Sequence, residues 1–278
     1  DSFCPDPAAQ IPLLLVRDRR CPLVDRRCFS QDYTGLLEHT GGSSGRELLD
    51  YIEKHLDYDA DLIWENLLHT CNHSLLRRCL QLNYILPEKY APGRKTVKRI
   101  ALWLHIYYVE LIPVCCAYAA SMPEGADVII TTDTVHKQAA IKAAFTERLT
   151  NHIRVLLVEN RGRDNSALLV GCAPYLEDYE IVCFAHDKKV GHLQYRIQGN
   201  AFSEHCFRNT LKSRAFVENV LEVFEENPRL GILCPPPPNM GVYFNTIGIA
   251  DWGPNYENTK ALYDRLNLNV PISRDYEP

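Results

Sequence analysis

Between Ile153 and Lys189 the chain reads IRVLLVENRGRDNSALLVGCAPYLEDYEIVCFAHDKK, and few folds accommodate that order of residues. Two apolar, β-branched runs, Ile153–Val158 and Ile181–Phe184, read as buried parallel strands, and Asn165–Leu176 has the length and spacing of a crossover helix. Each strand delivers polar residues at its C-terminal end: Glu159, Asn160, Arg161, Gly162, Arg163 and Asp164 after the first, His186, Asp187, Lys188 and Lys189 after the second. In an open parallel sheet those ends share one edge, where ligands bind.

The pattern extends in both directions. Strands are expected at Ile100–His105, Asp127–Thr131, Ile153–Val158, Glu180–Phe184 and Leu230–Leu233, with helices near Val109–Ala120, Thr134–Leu149, Asn165–Leu176 and Asn209–Glu226. Such alternation predicts an α/β, Rossmann-like, mostly parallel sheet with helices on both faces and right-handed crossovers. Before it, residues 1–90 read as a mostly helical N-terminal segment. Asp1–Arg20 is loop-like, while Ser44 and Glu47 have capping-box spacing ahead of the stripe Leu48, Leu49, Ile52 and Leu56. Helices follow near Asp61–His69 and Ser74–Ile85, and the polar, Pro- and Gly-containing Pro87–Lys98 reads as a linker. Two domains are therefore expected, 1–90 and 99–278.

An apolar fraction of 46% over 278 residues supports a full core. A net charge of −5 supplies no general attraction to nucleic acid, so nucleic acid is not an expected partner. The 11 cysteines are odd in number, scattered through apolar runs and never spaced as CxxC, which points to a reducing, cytoplasmic compartment. The most apolar long window, Ile100–Ala120, is interrupted by His105, Glu110 and Pro113, so no membrane span is expected. With no initiator Met, the chain is expected to be a piece of a longer polypeptide carrying other domains.

Chemistry is expected where the strands end: His105, Tyr107 and Tyr108 after the first, Thr131, Thr132 and Asp133 after the second, then the NRGRD and HDKK blocks. Arg161 and Arg163 flank Gly162 in a way that suits a phosphate, with bidentate guanidinium contacts, close backbone approach and a following helix N-terminus. Asp187 is a candidate ligand for a divalent cation such as Mg²⁺, which takes one or two carboxylates together with phosphate oxygens. A sugar nucleotide with its metal fits that set. Each residue also has a plain structural reading: His105 as a core histidine, Thr132–Asp133 and Asp164 as helix N-caps, Lys188 and Lys189 as a solvated pair. His69 and His73, four apart, lack a third ligand and read as surface residues at a turn. Tyr51, Tyr58 and Trp64 read as packing groups. No GxxxxGK[ST], GxGxxG or GxSxG motif is present.

The runs KRIALWLHIYYVELI, ADVIITTD, VENRGRDNSALLV, YEIVCFAHDKK and NPRLGILCPPPP, with CPLVDRRCFS and LQLNYILP ahead of them, resemble the rhamnan synthesis protein F (RgpF) family over nearly the whole chain. The resemblance implies a GT-A-like glycosyltransferase that builds bacterial cell-surface polysaccharide. Its donor would be a nucleotide sugar such as dTDP-L-rhamnose, with Mg²⁺ or Mn²⁺ as the possible metal, and its acceptor a glycan or lipid-linked glycan. Transfer would invert the anomeric carbon, at the inner face of the membrane. Carried over, Thr132 and Asp133 approach the base or ribose, Asn160 to Asp164 the nucleotide and diphosphate, and His186-Asp187-Lys188 take the place of the usual Asp-x-Asp pair. Only one carboxylate stands there, which leaves Lys188 or Lys189 to neutralise part of the diphosphate charge. His105 and Tyr107 complete the donor side. Asp251 is the candidate general base, with a turn cap as its alternative, and Trp252 and Tyr256 are either sugar-stacking or packing aromatics. Two other readings compete: a non-catalytic carbohydrate-binding or scaffolding domain, and another transferase or hydrolase of nucleotide diphosphates.

Overall fold

The computed structural model describes residues 12–24, 26–30, 44–71, 76–77, 79–91, 93, 98–189, 196–236, 252, 255–269, 272 and 274. The chain divides into two compact units, Asp1–Tyr84 with Ile249–Pro278, and Ile85–Gly248.

In the first unit, α1 (Pro12–Arg17), α2 (Arg27–Ser30), α3 (Ser44–His55) and α4 (Ala60–Thr70) are helical. The loop expected over Asp1–Arg20 is therefore corrected at Pro12–Arg17, where Pro12 takes the first helical position and loses no hydrogen bond by lacking an N–H. Leu48, Leu49 and Ile52 form the buried face of α3 against Leu67 of α4, Cys28 and Phe29 of α2, and Leu80. Asp59 caps α4, its carboxylate accepting from the Asp61 N–H at 3.0 Å. The helix stops at Thr70, with the Cys71 N–H closing on the Leu67 carbonyl. His69 thus ends a helix, and His73 lies outside the described residues. The helix expected over Ser74–Ile85 is shorter than read: 76, 77 and 79 are helical, and 80–81 form a turn. Trp64 packs on this core and donates from Nε1 to Glu53 at 3.1 Å.

The second unit is built on β1 (Ile100–His105), α5 (Ile112–Ala119, after a short 3₁₀ turn at Val109–Leu111), β2 (Asp127–Thr132), α6 (Val135–Arg148) and β3 (Ile153–Leu157). There follow α7 (Arg163–Ser166), continued by a π turn at Ala167–Gly171 and a 3₁₀ turn at Ala173–Asp178, then β4 (Ile181–His186), α8 (Arg196–Arg208) and α9 (Arg214–Glu226). The four strands form one all-parallel sheet in the order β3-β2-β1-β4. This is the α/β, Rossmann-like arrangement expected from the sequence.

Alternation along the strands assigns the core to two layers. Leu102, Leu104, Val128 and Ile130 face Ile112, Cys115, Ile141, Phe145 and Val217 from the flanking helices. Ala101, Trp103 and Ile129 face Cys172, Leu168 and Tyr175 from the α7 region. All six residues of β1 are buried, as befits a strand with neighbours on both sides and cover on both faces. Each fully buried aliphatic side chain in these layers stabilises the fold by about 1.5–3 kcal/mol.

Three expected elements are corrected. Residues 230–236 are not a strand: Ile232 is 78% exposed, and Pro235 and Pro236 cannot donate to a ladder. The helix expected over Asn209–Glu226 is broken, because Ser213 adopts extended backbone and its hydroxyl accepts from the Phe216 N–H to start α9. The helix over Asn165–Leu176 is cut into α, π and 3₁₀ pieces. Pro174 lacks the donor a regular helix needs, and Gly171 lies so close to Val158 that a Cβ there would stand 2.6 Å from Val158 Cγ1.

The segment after Pro87 is clipped to α9. Buried Asn219 donates from Nδ2 to the carbonyls of Pro87 (3.1 Å) and Tyr90 (2.6 Å) as well as Ala215 (2.9 Å). Replacing Asn219 with Ala leaves those carbonyls without their donor and is expected to cost about 1–3 kcal/mol in urea unfolding; a loss below about 0.5 kcal/mol would show that water replaces the amide.

Candidate functional site

β1 is followed in the sheet by β2 and β3 on one side, and the chain then returns to place β4 on the other. The junction between β1 and β4 is therefore the point where the strand order reverses, the place where open α/β sheets bind ligands. Asp187, the first residue beyond β4, holds this junction together. Its N–H donates to the His105 carbonyl at 3.0 Å, and its Oδ2 accepts the main-chain N–H groups of Tyr107 (2.9 Å) and Tyr108 (2.6 Å). These amides lie just past the end of the β1 ladder and would otherwise lack partners. Asp187 is only 6% exposed. Burial pushes its carboxyl up to about 6, against the opposing pull of the two amides and Lys137.

The Tyr107 and Tyr108 rings meet edge-on at 5.0 Å, and each carries a lysine. Lys137 Nζ lies 3.8 Å above the Tyr107 ring and donates to Asp133 Oδ1 at 2.7 Å. Lys189 lies 5.6 Å above the Tyr108 ring and pairs with Glu110. The cap of α6 is Thr134, whose hydroxyl accepts from the Lys137 N–H, not the Thr132–Asp133 pair. Asp133 is thereby left to bind Lys137.

The opposite face of the same edge carries a second polar row. Thr131, His105 and His186 are register neighbours on β2, β1 and β4. His105 Nδ1 lies 2.9 Å from the Thr131 hydroxyl, and His186 Nδ1 lies 3.4 Å from Asp164 Oδ2. Burial holds both imidazoles below the ordinary histidine value, with Asp164 pulling the other way, so both are neutral at neutral pH.

Asp164 reaches this row because the chain turns sharply before it. Gly162 has φ of 84°, Arg163 has φ of 55°, and the Ser166 hydroxyl donates to the carbonyls of Arg161 and Arg163. Gly162 occupies the N-cap position of α7, so Asp164 is not the cap. A Cβ at Gly162 would stand 2.8 Å from Ser166 Cβ, so the turn needs glycine twice over. Asn160, Arg161 and Arg163 are exposed, and neither arginine makes an ion pair among the described residues.

The structure brings His105, Tyr107, Asp133, Asp164, His186 and Asp187 to one edge of the sheet: His105 and Tyr107 from the end of β1, Asp133 from beyond β2, Asp164 from the turn after β3, and His186 and Asp187 from the end of β4. Arg161, Gly162 and Arg163 border them. Thr132 belongs to the edge, but its hydroxyl is buried on the sheet face away from His105 and has no hydrogen-bond partner among the described residues. Lys188 is exposed, 5.8 Å from the centre of the Phe202 ring. Asp251 lies outside the described residues. Trp252 and Tyr256 belong to the other unit, where their rings meet edge-on at 5.6 Å and Arg274 stacks on Tyr256 at 4.2 Å. Lys137 was missed by sequence reading, although its place four residues after Asp133 is the spacing of a helix-surface ion pair.

Among the described residues no group of three or more His, Cys, Asp or Glu is arranged to hold a metal ion. A divalent cation at Asp187 would meet a single carboxylate with one oxygen already accepting two amides. That fits such an ion poorly, and no step below runs through one.

The site has a measurable pH signature. Asp187 binds its proton more tightly in the folded chain than at its ordinary value of 3.8, so its contribution to stability falls as pH rises toward about 6. The lowered histidines act oppositely, stability being lost as pH falls through their range. Comparison with Asp187→Asn isolates the first effect: the unaltered chain is expected to gain stability relative to the variant as pH drops from about 7 to about 4. A difference that stays flat across that range in denaturant titrations would contradict the raised carboxyl.

No curated protein and no solved structure matches the chain. The sequence profile of a protein family, rhamnan synthesis protein F, matches residues 1–277. That span leaves out a single residue, and the chain therefore belongs to the rhamnan synthesis protein F family, a family of polysaccharide biosynthesis.

Proposed function

We propose that this chain is an inverting, GT-A-like glycosyltransferase domain that moves a sugar from a nucleoside diphosphate to a growing cell-surface polysaccharide, with dTDP-L-rhamnose as the leading donor. The observation that carries the proposal is the convergence of His105, Asp133, Asp164, His186 and Asp187 at the strand-order reversal, bordered by two arginines that no described residue neutralises. Family membership supplies the polysaccharide context.

In this reading Arg161 and Arg163 clamp the diphosphate, with Gly162 allowing close backbone approach and Lys188 adding charge. The protein's cations then do the neutralising that a metal does in many transferases. Tyr107, Thr132, Asp133 and Asn160 stand on the nucleoside side. Lys137 holds Asp133 in place, and Asp187 fixes the Tyr107-Tyr108 turn. Asp251 remains a candidate base from sequence. No helix among the described residues is long and apolar enough to cross a membrane; the proposal places the domain at the inner membrane face, where a lipid-linked glycan acceptor would meet a cytoplasmic donor.

Asp187 also motivates a second reading. Its carboxylate is committed to main-chain amides, which suits a carbohydrate-binding domain without turnover. Calorimetry with dTDP, UDP and GDP sugars, with and without Mg²⁺ or Mn²⁺, separates the two. Binding of at least one sugar nucleotide is expected; glycan binding alone, lost on Trp252→Ala and kept on Asp187→Ala, would favour the second. Arg163→Ala is expected to weaken nucleoside diphosphate affinity by about 1–3 kcal/mol, and an unchanged affinity would remove Arg163 from the clamp.

A further inference from the structure

The two histidines of the edge are built differently. His105 is 8% exposed, and its Nδ1 is occupied by the Thr131 hydroxyl, which makes it part of the packed sheet. His186 sits beside it in register, yet about one third of its side chain, 34%, reaches solvent. Its Nδ1 faces a carboxylate, Asp164 Oδ2, at 3.4 Å, and no described residue bonds its other ring nitrogen. A carboxylate facing Nδ1 keeps the proton there and leaves the lone pair on Nε2. Pairs of this kind are often loose until substrate closes over them.

Two hydrogen-bonded frames hold the pair. His186 is fixed by the β1–β4 ladder and followed at once by Asp187, which is locked to the Tyr107-Tyr108 turn. Asp164 is fixed by the Gly162 turn and its Ser166 brace, the same turn that presents Arg161 and Arg163. The imidazole therefore faces the turn that presents the two arginines.

We infer that His186 is the general base of the transfer step and Asp164 its positioning residue, an assignment that rests on the transferase reading above. The acceptor hydroxyl gives its proton to His186 Nε2 as its oxygen bonds to the anomeric carbon. The bond from that carbon to the diphosphate oxygen breaks, and the electron pair leaves with the nucleoside diphosphate. Asp164 stabilises the imidazolium that forms and is not itself protonated. Burial, which keeps His186 neutral before reaction, supports the role. The charged and titratable groups around His186 are Asp164 from α7, Lys188 beyond β4, and His105 from β1 with Asp133 and Lys137 behind it.

The test uses the full chain, the sugar nucleotide of the dTDP, UDP and GDP panel that it binds, and a rhamnose oligosaccharide as acceptor, with nucleoside diphosphate release as readout. His186→Gln is expected to lower kcat by about 10²–10⁴-fold while changing nucleoside diphosphate affinity by less than about threefold. Asp164→Asn is expected to lower kcat and to displace the acidic limb of the kcat profile, which in the unaltered chain lies below the ordinary histidine value. A His186→Gln chain that keeps kcat within about threefold overturns the assignment, as does one whose affinity falls in step with its rate. If that variant does not fold, Asp164→Asn decides: an unmoved acidic limb overturns the assignment and a displaced one supports it. Absence of both binding and turnover in the unaltered chain overturns the transferase reading itself, and this assignment with it.

Discussion

Two main-chain amides donating to one carboxylate oxygen are the contact on which the candidate site depends. A parallel strand that runs out beside its neighbour leaves N–H groups with no ladder partner, and in a buried setting each such group costs roughly 1–3 kcal/mol. Asp187 meets two of them at once and bonds its own N–H back to β1. The turn after β1 is thereby tied to the end of β4, though the residues lie about eighty positions apart in the chain. The tyrosine rings, the lysines above them and the acids that hold those lysines all take their places from that tie.

The electrostatics of the edge follow from depth. Burial raises the Asp187 carboxyl and lowers both imidazoles, so all three shifts favour the uncharged form. Charge persists in the largely buried Asp133–Lys137 pair, where the two partners offset each other, and in the exposed guanidinium groups of Arg161 and Arg163. A weakly charged interior with cations at its margin suits an anionic ligand whose reacting end must shed water.

The parts of this arrangement differ in how far they could be read from sequence. The strands were legible because apolar, β-branched runs between polar loops have one economical interpretation in an α/β chain; β1 was located to the residue and β2 to within one. The covering segment after β3 was not, since its break into α, π and 3₁₀ pieces depends on the approach of Gly171 to Val158 across the fold. Leu230–Leu233 misled for a related reason: an apolar run becomes a strand only where a neighbour can pair with it, and the prolines that follow prevent that. Asp187 was singled out for its position, but its bonds to Tyr107 and Tyr108 depend on strand register and could not be inferred from spacing. Family likeness supplies a chemical context that no spacing argument reaches, while the His186–Asp164 contact depends on tertiary packing that neither encodes.

The turn from Arg161 to Ser166 has a thermodynamic consequence. Immobilising a flexible residue costs roughly 1–2 kcal/mol of backbone entropy, and an anion captured by a floppy arginine loop must meet that cost from its own contacts. Here left-handed backbone at two successive positions and a serine hydroxyl bridging two carbonyls hold the frame before any ligand arrives. Only the guanidinium side chains are left to be ordered, so an anion bound as proposed would be selected by the shape that spans them.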